Sequence, residues 1–175
     1  MTGDFKTRLR EKKLGDAGCD YGWQTDPELA ALDAVSPLPL SYAEYLARYA
    51  VELRYPSTQR QRFAIETLDG QHIGNCTYYS INSKRGEAEM GIMIGNHDYW
   101  NKGYGVDAVT NLLEVIFRET KLDRIHLKTL VTNARAQKCF ARCGFTPCGH
   151  LKRDGYNFVL MELHRRQWQQ QVKED

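Results

Sequence analysis

The sequence has no strong excess of either charge and no long hydrophobic run. It carries 24 lysines and arginines against 22 aspartates and glutamates, a net charge of +2 over 175 residues. This balance gives no overall signal for binding nucleic acid or an anionic membrane surface. No apolar stretch approaches the ~20 residues that span a bilayer, and the N-terminal segment MTGDFKTRLREKK lacks the apolar core of a signal peptide. We therefore predict a cytoplasmic protein with neither a nucleic-acid nor a membrane partner.

Internal repeats, low-complexity segments and linkers are also missing, and there is no C-x-x-C pair. We accordingly predict a single domain over residues 1–175. The five cysteines are an odd number in a reducing compartment, so we interpret them as free thiols. The alternative, in which Cys139, Cys143, Cys148 and His150 bind a metal, matches no zinc-ligand spacing. We predict no metal site.

Hydrophobic periodicity predicts a chain of strands and helices. Strand patterns cover residues 5–10, 62–67, 73–81, 87–94, 124–131, 145–151 and 156–163; helical patterns cover residues 41–54, 106–117 and 133–144, with broken helix in 14–40. The pairs Asp69-Gly70 and Asp154-Gly155 are typical of hairpin turns, and Gly144 is typical of a helix C-terminus. This order predicts an α+β fold in which a mixed, mostly antiparallel sheet of about seven strands is flanked by helices.

The stretch NKGYGV, residues 101–106, places two glycines at the start of the helical pattern. The first amides of a helix have no intrahelical acceptor and lie at the positive end of its dipole. Glycines let such amides approach an anion closely, above all a phosphate, and Lys102 adds a positive charge. The alternative is that Gly103 and Gly105 merely permit a tight turn. The third glycine of a dinucleotide fingerprint and the lysine motif of a P-loop are both absent.

Two sequence blocks in this order resemble the GNAT superfamily of acetyl-CoA-dependent N-acetyltransferases. The first is YWNKGYGVDA, residues 99–108, which follows the strand EAEMGIMI, and the second is TNARAQKCFARCGF, residues 132–145. The tryptophan of the first block is similar to the branch that contains the ribosomal-protein N-terminal (alanine) acetyltransferases. The resemblance covers the C-terminal two-thirds of the chain and implies a GNAT-like sheet that is splayed at the cofactor strand.

The resemblance implies acetyl-CoA as co-substrate and indicates the residues that bind it. The diphosphate of coenzyme A would lie on the amides of residues 101–106. The pantetheine arm would run along residues 92–94, where the amide of Met93 would polarise the thioester carbonyl. The predicted cofactor-binding residues are Ile92, Met93, Ile94, Trp100, Asn101, Lys102, Gly103, Tyr104, Gly105, Val106, Asn133 and Phe140.

The implied reaction is attack of a primary amine on the thioester, and the amine must be neutral to attack. A lysine-like amine is only ~0.1% neutral near pH 7.5, whereas an α-amine is about a third neutral. Glu89 matches the strand carboxylate of the family, so we predict that it is the general base. The alternative is a solvated strand edge that bears two acids, Glu87 and Glu89. Many relatives place a tyrosine at the position of Phe140, which leaves the departing thiol without an assigned proton donor.

The acceptor is predicted to be an amine of a protein N-terminus or of a small molecule. Tyr78, Tyr79 and Glu87 are the predicted substrate-binding residues, although such tyrosines are also common in protein cores. A non-catalytic acyl-CoA-binding or regulatory protein is the alternative function, and we expect a monomer or a homodimer. Four arginines of the middle segment suit an acidic acceptor or, alternatively, form a solvated face: Arg48, Arg54, Arg60 and Arg62.

Overall fold

The computed structural model describes residues 5–174, which form a seven-stranded mixed sheet with helices on both faces. The strands are β1 (Thr7–Glu11), β2 (Arg60–Thr67), β3 (His72–Asn82), β4 (Glu87–Ile94), β5 (Arg124–Leu130), β6 (Thr146–Arg153) and β7 (Tyr156–His164). The helices are α1 (Ala17–Thr25), α2 (Pro27–Leu32), α3 (Tyr42–Arg54), α4 (Tyr104–Glu119), α5 (Ala134–Arg142) and α6 (Arg165–Glu174). The strand order is β1-β2-β3-β4-β5-β7-β6; β4 and β5 pair in parallel and the other neighbours pair antiparallel. None of the helices in this part of the chain is long and apolar enough to cross a bilayer.

The predicted fold class and turns are confirmed. Gly70 (φ 89°) lies between β2 and β3, and Asp154 (φ 50°) and Gly155 (φ 80°) lie between β6 and β7, all in the left-handed conformation that such hairpin turns require. Ser41 caps α3, because its hydroxyl oxygen accepts from the Glu44 amide (3.4 Å) while the Glu44 carboxylate accepts from the Ser41 amide (2.9 Å). Local turn and cap chemistry therefore determines where these elements begin and end.

The parallel strands β4 and β5 separate after three residue pairs. Glu87, Ala88 and Glu89 pair with residues 124–126 of β5, and beyond them β4 continues beside β3 alone and β5 beside β7 alone. A gap therefore opens between residues 90–94 and residues 127–130, as the resemblance predicts. Among the described strands, nothing continues the ladder on this edge of β4. The sheet can accept an extended ligand there.

The apolar stripe of α4 is buried against one face of the sheet. Val109, Leu112 and Ile116 have no accessible surface, and Phe117 is 2% exposed. Each such side chain contributes ~1.5–3 kcal/mol on burial. Val106, the first residue of the predicted stripe, is only half-buried because it lies at the edge of a cleft. Apolar packing therefore fixes the position of α4 and of the glycine-rich turn before it.

Buried polar contacts hold α1 and α3 on the opposite face. The Lys12 ammonium lies 2.7 Å from one carboxylate oxygen of Asp20, and the other oxygen accepts from the Asn75 side chain of β3 (2.7 Å). The Tyr49 hydroxyl of α3 also donates to Asp20 (2.8 Å). Burying a charge is costly unless it is paired in this way. This face of the sheet therefore depends on matched charges, whereas the α4 face depends on apolar area.

Helix α6 is absent from the sequence-based prediction, and it closes the end of α4. Trp168 and Val172 are its two apolar residues, too few to produce a stripe. The Trp168 ring lies 5.2 Å from that of Phe117, and the Arg165 guanidinium donates to the carbonyls of Thr120 (2.8 Å) and Leu122 (2.6 Å). Carbonyls just after α4 thus obtain donors from a segment distant in sequence.

Candidate active site

The N-terminus of α4 has no side-chain cap. Its N-cap is Gly103 (φ 86°), preceded by Asn101 (φ 58°), and among residues 5–174 no side chain accepts from its first amides. Helices α3 and α5 differ, since Ser41 and Asn133 accept from first-turn amides there. The first backbone hydrogen bond of α4 runs from Asp107 to Gly103 (3.1 Å). The amides of residues 104–106 are therefore left for a ligand.

A cleft of about 470 Å³ lies between this helix N-terminus, the end of β4 and α5, and we call it the helix-mouth cleft. Gly105 lies near α5, where a Cβ would stand 3.4 Å from the Cys139 sulfur. All of the predicted cofactor-binding residues except Lys102 and Tyr104 line the cleft: Ile92, Met93, Ile94, Trp100, Asn101, Gly103, Gly105, Val106, Asn133 and Phe140.

Lys102 and Tyr104 do not line the helix-mouth cleft. The carbonyl of Lys102 accepts from the Lys6 ammonium (2.9 Å), and the Lys102 side chain is exposed. The Tyr104 ring packs edge-on against Tyr99, with 4.9 Å between centroids, and Lys6 lies 5.7 Å from it. The Tyr104 side chain is thus committed to the turn. A contribution of Tyr104 to cofactor binding is left to its backbone amide.

Three basic residues of α5 line the helix-mouth cleft and are absent from the prediction: Arg135, Lys138 and Arg142. Their spacing of three and four residues places them on one face of the helix. The Arg135 guanidinium lies 3.6 Å from the ring centroid of Trp100, and the Trp100 indole N–H donates to the Ile94 carbonyl (2.6 Å). The spacing in ARAQKCFAR could have indicated the shared face, but not that this face turns toward the cleft.

The β4 amides that face the gap belong to Ile92 and Ile94. The Gly86 carbonyl, just before β4, accepts from β5 (3.0 Å), whereas the Gly95 amide, just after β4, donates to β3 (2.9 Å). Backbone groups of successive residues in a strand point to opposite sides, so the even-numbered residues of β4 face the gap. This direction contradicts the prediction that the Met93 amide polarises the thioester, because that amide faces β3. The Met93 side chain still lines the cleft.

A second cavity of about 740 Å³ lies between the sheet and the segment of α1 and α2, and we call it the sheet groove. It shares Met93, Asn133 and Phe140 with the helix-mouth cleft, so the two cavities adjoin at the gap between β4 and β5. The groove is a concave site of the size that small molecules occupy. The two cavities together offer adjacent positions for two reactants.

Glu89 lines the sheet groove beside a lysine that the sequence analysis does not single out. The Glu89 carboxylate lies 2.5 Å from the ammonium of Lys128 on β5. Burial alone would raise the pKa of Glu89, but hydrogen bonds from Lys128 and Tyr79 outweigh it and lower the pKa. Glu89 is therefore ionised at neutral pH and able to accept a proton. Nothing local in the sequence pairs these two residues, because they lie on different strands.

Of the three predicted substrate-binding residues, Tyr79 lines the sheet groove. Tyr78, its neighbour, points to the opposite face, where it is 7% exposed and stacks 6.5 Å from Phe63. Glu87 lies outside the groove and pairs with Arg124 (2.9 Å). The structure thus corrects the assignments of Tyr78 and Glu87, which belong to the core and to an ion pair at the end of the sheet.

Aromatic and acidic side chains complete the surroundings of the two cavities. Trp23 and Tyr45 line the sheet groove, and His97 stacks on Trp100 with 4.1 Å between centroids. Asp33 lines both cavities and is absent from the prediction. Among the residues that the structure describes, no group of three or more His, Cys, Asp or Glu side chains is placed to hold a metal ion.

Comparison with known proteins connects this geometry to an enzyme family. The family model of the acetyltransferase (GNAT) domain matches residues 6–146. The chain is 28% identical over 146 residues to the uncharacterized N-acetyltransferase p20 of Bacillus licheniformis, covering 82% of this chain and 81% of that protein. Its fold is similar to that of a spermidine N-acetyltransferase from Vibrio cholerae in complex with CoA and spermine, with a TM-score of 0.84, 21% identity and coverage of 94% of this chain and 98% of that one. It is also similar to the aminoglycoside acetyltransferase AAC(6')-Ib in complex with coenzyme A, with a TM-score of 0.78, 19% identity and coverage of 95% and 99%.

Proposed function

The chain belongs to the acetyltransferase (GNAT) family, and from that premise we propose that it transfers an acetyl group from acetyl-coenzyme A to a primary amine of a small molecule or a protein N-terminus. The observation that carries the proposal is the uncapped N-terminus of α4 beside the gap between β4 and β5. The helix mouth offers free amides and a positive dipole to a diphosphate. The open edge of β4 offers strand-like hydrogen bonds to an extended arm.

The residues of the helix-mouth cleft fit coenzyme A. The amides of residues 104–106, with Arg135, Lys138 and Arg142, would hold its phosphates. The Asn133 side-chain oxygen accepts from the Ala136 amide (3.1 Å), which leaves its NH₂ group free to donate to the pantetheine arm. When bound, acetyl-coenzyme A supplies the thioester that the acceptor amine attacks.

The backbone of Ile92 is the group that we assign to the thioester carbonyl. Ile92 and Ile94 both face the gap, and the Ile94 carbonyl already accepts from Trp100. Ile92 lies closer along β4 to Glu89, at the junction of the two cavities. A fixed amide at this point would stabilise negative charge that develops on the carbonyl oxygen, as an oxyanion hole does.

Glu89 is the proton acceptor that we assign to the incoming amine. A carboxylate whose pKa is lowered is a weak base, so it assists most effectively an amine that is already partly neutral. An α-amine is about a third neutral at physiological pH, and a base is worth well under ~1 kcal/mol to it, against about 4 kcal/mol for a lysine-like amine. The weak base therefore favours acceptors with amines of the first kind.

The proton of the departing thiol has no assigned donor. Phe140, at the position where many relatives place a tyrosine, is 6% exposed and has no hydroxyl. A thiol of ordinary pKa, about 8.5, leaves tolerably as a thiolate near neutral pH. Phe140 instead supplies an apolar wall to both cavities.

The test follows release of free thiol from acetyl-coenzyme A with a panel of amines. We expect turnover with at least one amine. The loss of kcat in Glu89→Gln should reach about a hundredfold with lysine-like amines, since general-base catalysis contributes ~10²–10⁴-fold, and should be only about a few-fold with α-amines, which are already partly neutral. The dissociation constant of coenzyme A should stay unchanged, because Glu89 does not line the helix-mouth cleft. Glu87→Gln is the matched control and should leave both quantities unchanged.

Two other results would redirect the proposal. Binding of acetyl-coenzyme A without acetylation of any amine would identify a non-catalytic acyl-CoA-binding protein. Full activity of Glu89→Gln would keep the enzyme but remove Glu89 as its base.

A further inference from the structure

The sheet groove contains charges that are satisfied within the protein and charges that are not. Asp33 and Arg60 both line the groove, and neither has an ion-pair partner within residues 5–174. The other charged side chains that line it are paired: Lys12 with Asp20 (2.7 Å), Lys128 with Glu89 (2.5 Å) and Arg62 with Glu52 (2.5 Å).

Asp33 stands where the two cavities meet. It is the C-cap of α2 and lines both the sheet groove and the helix-mouth cleft. The next residue, Ala34, has φ 56°, a left-handed value that is uncommon for a residue other than glycine. The Asp33 side chain is accessible from the cavities, yet the surrounding protein raises its pKa to about 6. It is still mostly ionised at neutral pH and attracts a cation.

Arg60 lies at the start of β2, directly opposite Tyr79 of β3. Its guanidinium carbon is 5.6 Å from the Tyr79 ring centroid, so the ring helps to orient it. Burial raises the pKa of Tyr79, and the nearby carboxylates of Glu89 and Asp33 raise it further. The two unpaired charges thus act on the same tyrosine. A guanidinium binds carboxylate or phosphate oxygens through paired hydrogen bonds.

The unpaired charges of the groove offer a polycation no net attraction. The paired charges of its lining cancel, because Arg62 is neutralised by Glu52, and one negative and one positive side chain remain, Asp33 and Arg60. A polyamine, which carries several positive charges and no negative one, would be attracted by the first and repelled by the second. A molecule with one ammonium and one anionic group would instead match both unpaired charges.

We propose, on the basis of the acetyltransferase function above, that the acceptor is an amine that also bears an anionic group, with its ammonium drawn to Asp33 and its anion bound by Arg60. The class includes amino acids and short peptides with a free carboxylate, and amines that carry a phosphate. Once in place, the ammonium gives its proton to Glu89 and its nitrogen faces the gap.

The test measures kcat/KM for matched acceptors with the full-length enzyme and acetyl-coenzyme A. A dipeptide is compared with its C-terminal amide, because the two have similar α-amines and differ in the anion; phosphoethanolamine and spermidine complete the panel. We expect the dipeptide to exceed both its amide and spermidine by at least about tenfold, the usual scale of a charged hydrogen bond. Phosphoethanolamine shows whether phosphate replaces carboxylate.

Variants separate the two halves of the proposal. Arg60→Gln should lower kcat/KM for the dipeptide by about tenfold and leave its amide unchanged, whereas Asp33→Asn should lower kcat/KM for both. Arg48→Gln, an exposed arginine that does not line the groove, is the control and should change neither. Calorimetric binding of the dipeptide to the enzyme saturated with coenzyme A gives a second readout for each variant.

Three outcomes would overturn the inference. Spermidine could equal or exceed the dipeptide, or Arg60→Gln could affect acid and amide equally, and in both cases the acetyltransferase function stands. Acetylation of none of the amines would contradict that function as well.

Discussion

The helix-mouth cleft and the sheet groove adjoin each other but are formed by different chemical groups, mainly backbone amides in the first and side chains in the second. The cleft uses backbone amides from one short turn and one strand edge, supported by three basic residues of a single helix. The groove uses side chains from α1 and α2 and from β2 to β5, brought together by the sheet. Under the proposed function, the co-substrate would be held largely by backbone groups, whereas the acceptor would face side chains, which can differ between proteins that share a fold.

The largest expected effect tests the cleft alone. Asn101→Asp puts a negative charge at the helix mouth, where unit charges about 4 Å apart interact by ~1–4 kcal/mol. We expect coenzyme A affinity to fall by tenfold to several hundredfold in calorimetry, with no change in acceptor discrimination. Asn101→Gly, which keeps the positive φ, is the control and should bind normally. Equal affinity of the Asp variant would place the diphosphate elsewhere.

The second prediction concerns the polar side of the sheet in acid. Burial raises the pKa of Asp16, but the hydrogen bond from Arg10 outweighs it, and the pKa falls from 3.8 to about 2. Because its pKa is lower in the folded state, the ionised Asp16 carboxylate stabilises the fold above pH 3.8. This stabilisation is lost as the pH falls through about 2. The loss is worth about 2 kcal/mol. In urea titrations, the difference between the wild type and Asp16→Asn should shrink by that amount between pH 5 and pH 2, and a constant difference would contradict it.

The third prediction addresses the contact between the two regions. A Cβ at Gly95 would stand 2.1 Å from the Trp23 ring, which lines the sheet groove. Gly95→Ala should therefore lower the free energy of unfolding by about 1–3 kcal/mol, as overpacking does. In a Trp23→Ala background the same change should cost far less, a coupling that a double-mutant cycle measures. Additive effects would mean that the ring does not rest on Gly95 in solution.

The smallest effect tests the groove alone. Lys128→Met removes a hydrogen bond that lowers the pKa of Glu89, so burial raises the pKa and the acidic limb of kcat/KM moves to higher pH. The dissociation constant of coenzyme A should not change. Lys138→Met, in the helix-mouth cleft, should weaken the binding of coenzyme A and leave the acidic limb of the kcat/KM profile at the same pH. If Lys128→Met instead weakened coenzyme A binding and Lys138→Met moved the acidic limb, the cofactor would lie in the sheet groove and the acceptor in the helix-mouth cleft.

The difference between backbone groups of one turn and side chains from several strands also explains what the sequence could predict. The turn at Gly103 and Gly105, the hairpin pairs and the α4 stripe are local patterns. They predict the fold class and an anion site at the start of α4, whereas the gap beside β4 is implied only by the family resemblance. The direction of the Met93 amide was predicted wrongly because a strand's register against its neighbours decides it. Asp33 and Lys128 carry no local signal, since only the folded sheet brings them into the groove. Tyr78 and Tyr79 are adjacent and chemically equal, but they point to opposite faces of β3, and only the fold shows that the Tyr79 face lines the groove.

The short pairing of β4 with β5 divides the sheet into two parts. Strands β1 to β4 form one part and β5 to β7 form the other, and three residue pairs connect the two parts. Beyond those residue pairs, the two parts of the sheet are held together by the hydrophobic core that they share. An extended ligand bound in the gap between β4 and β5 would add backbone hydrogen bonds there. Its binding should therefore slow amide hydrogen exchange in β4 and β5 together.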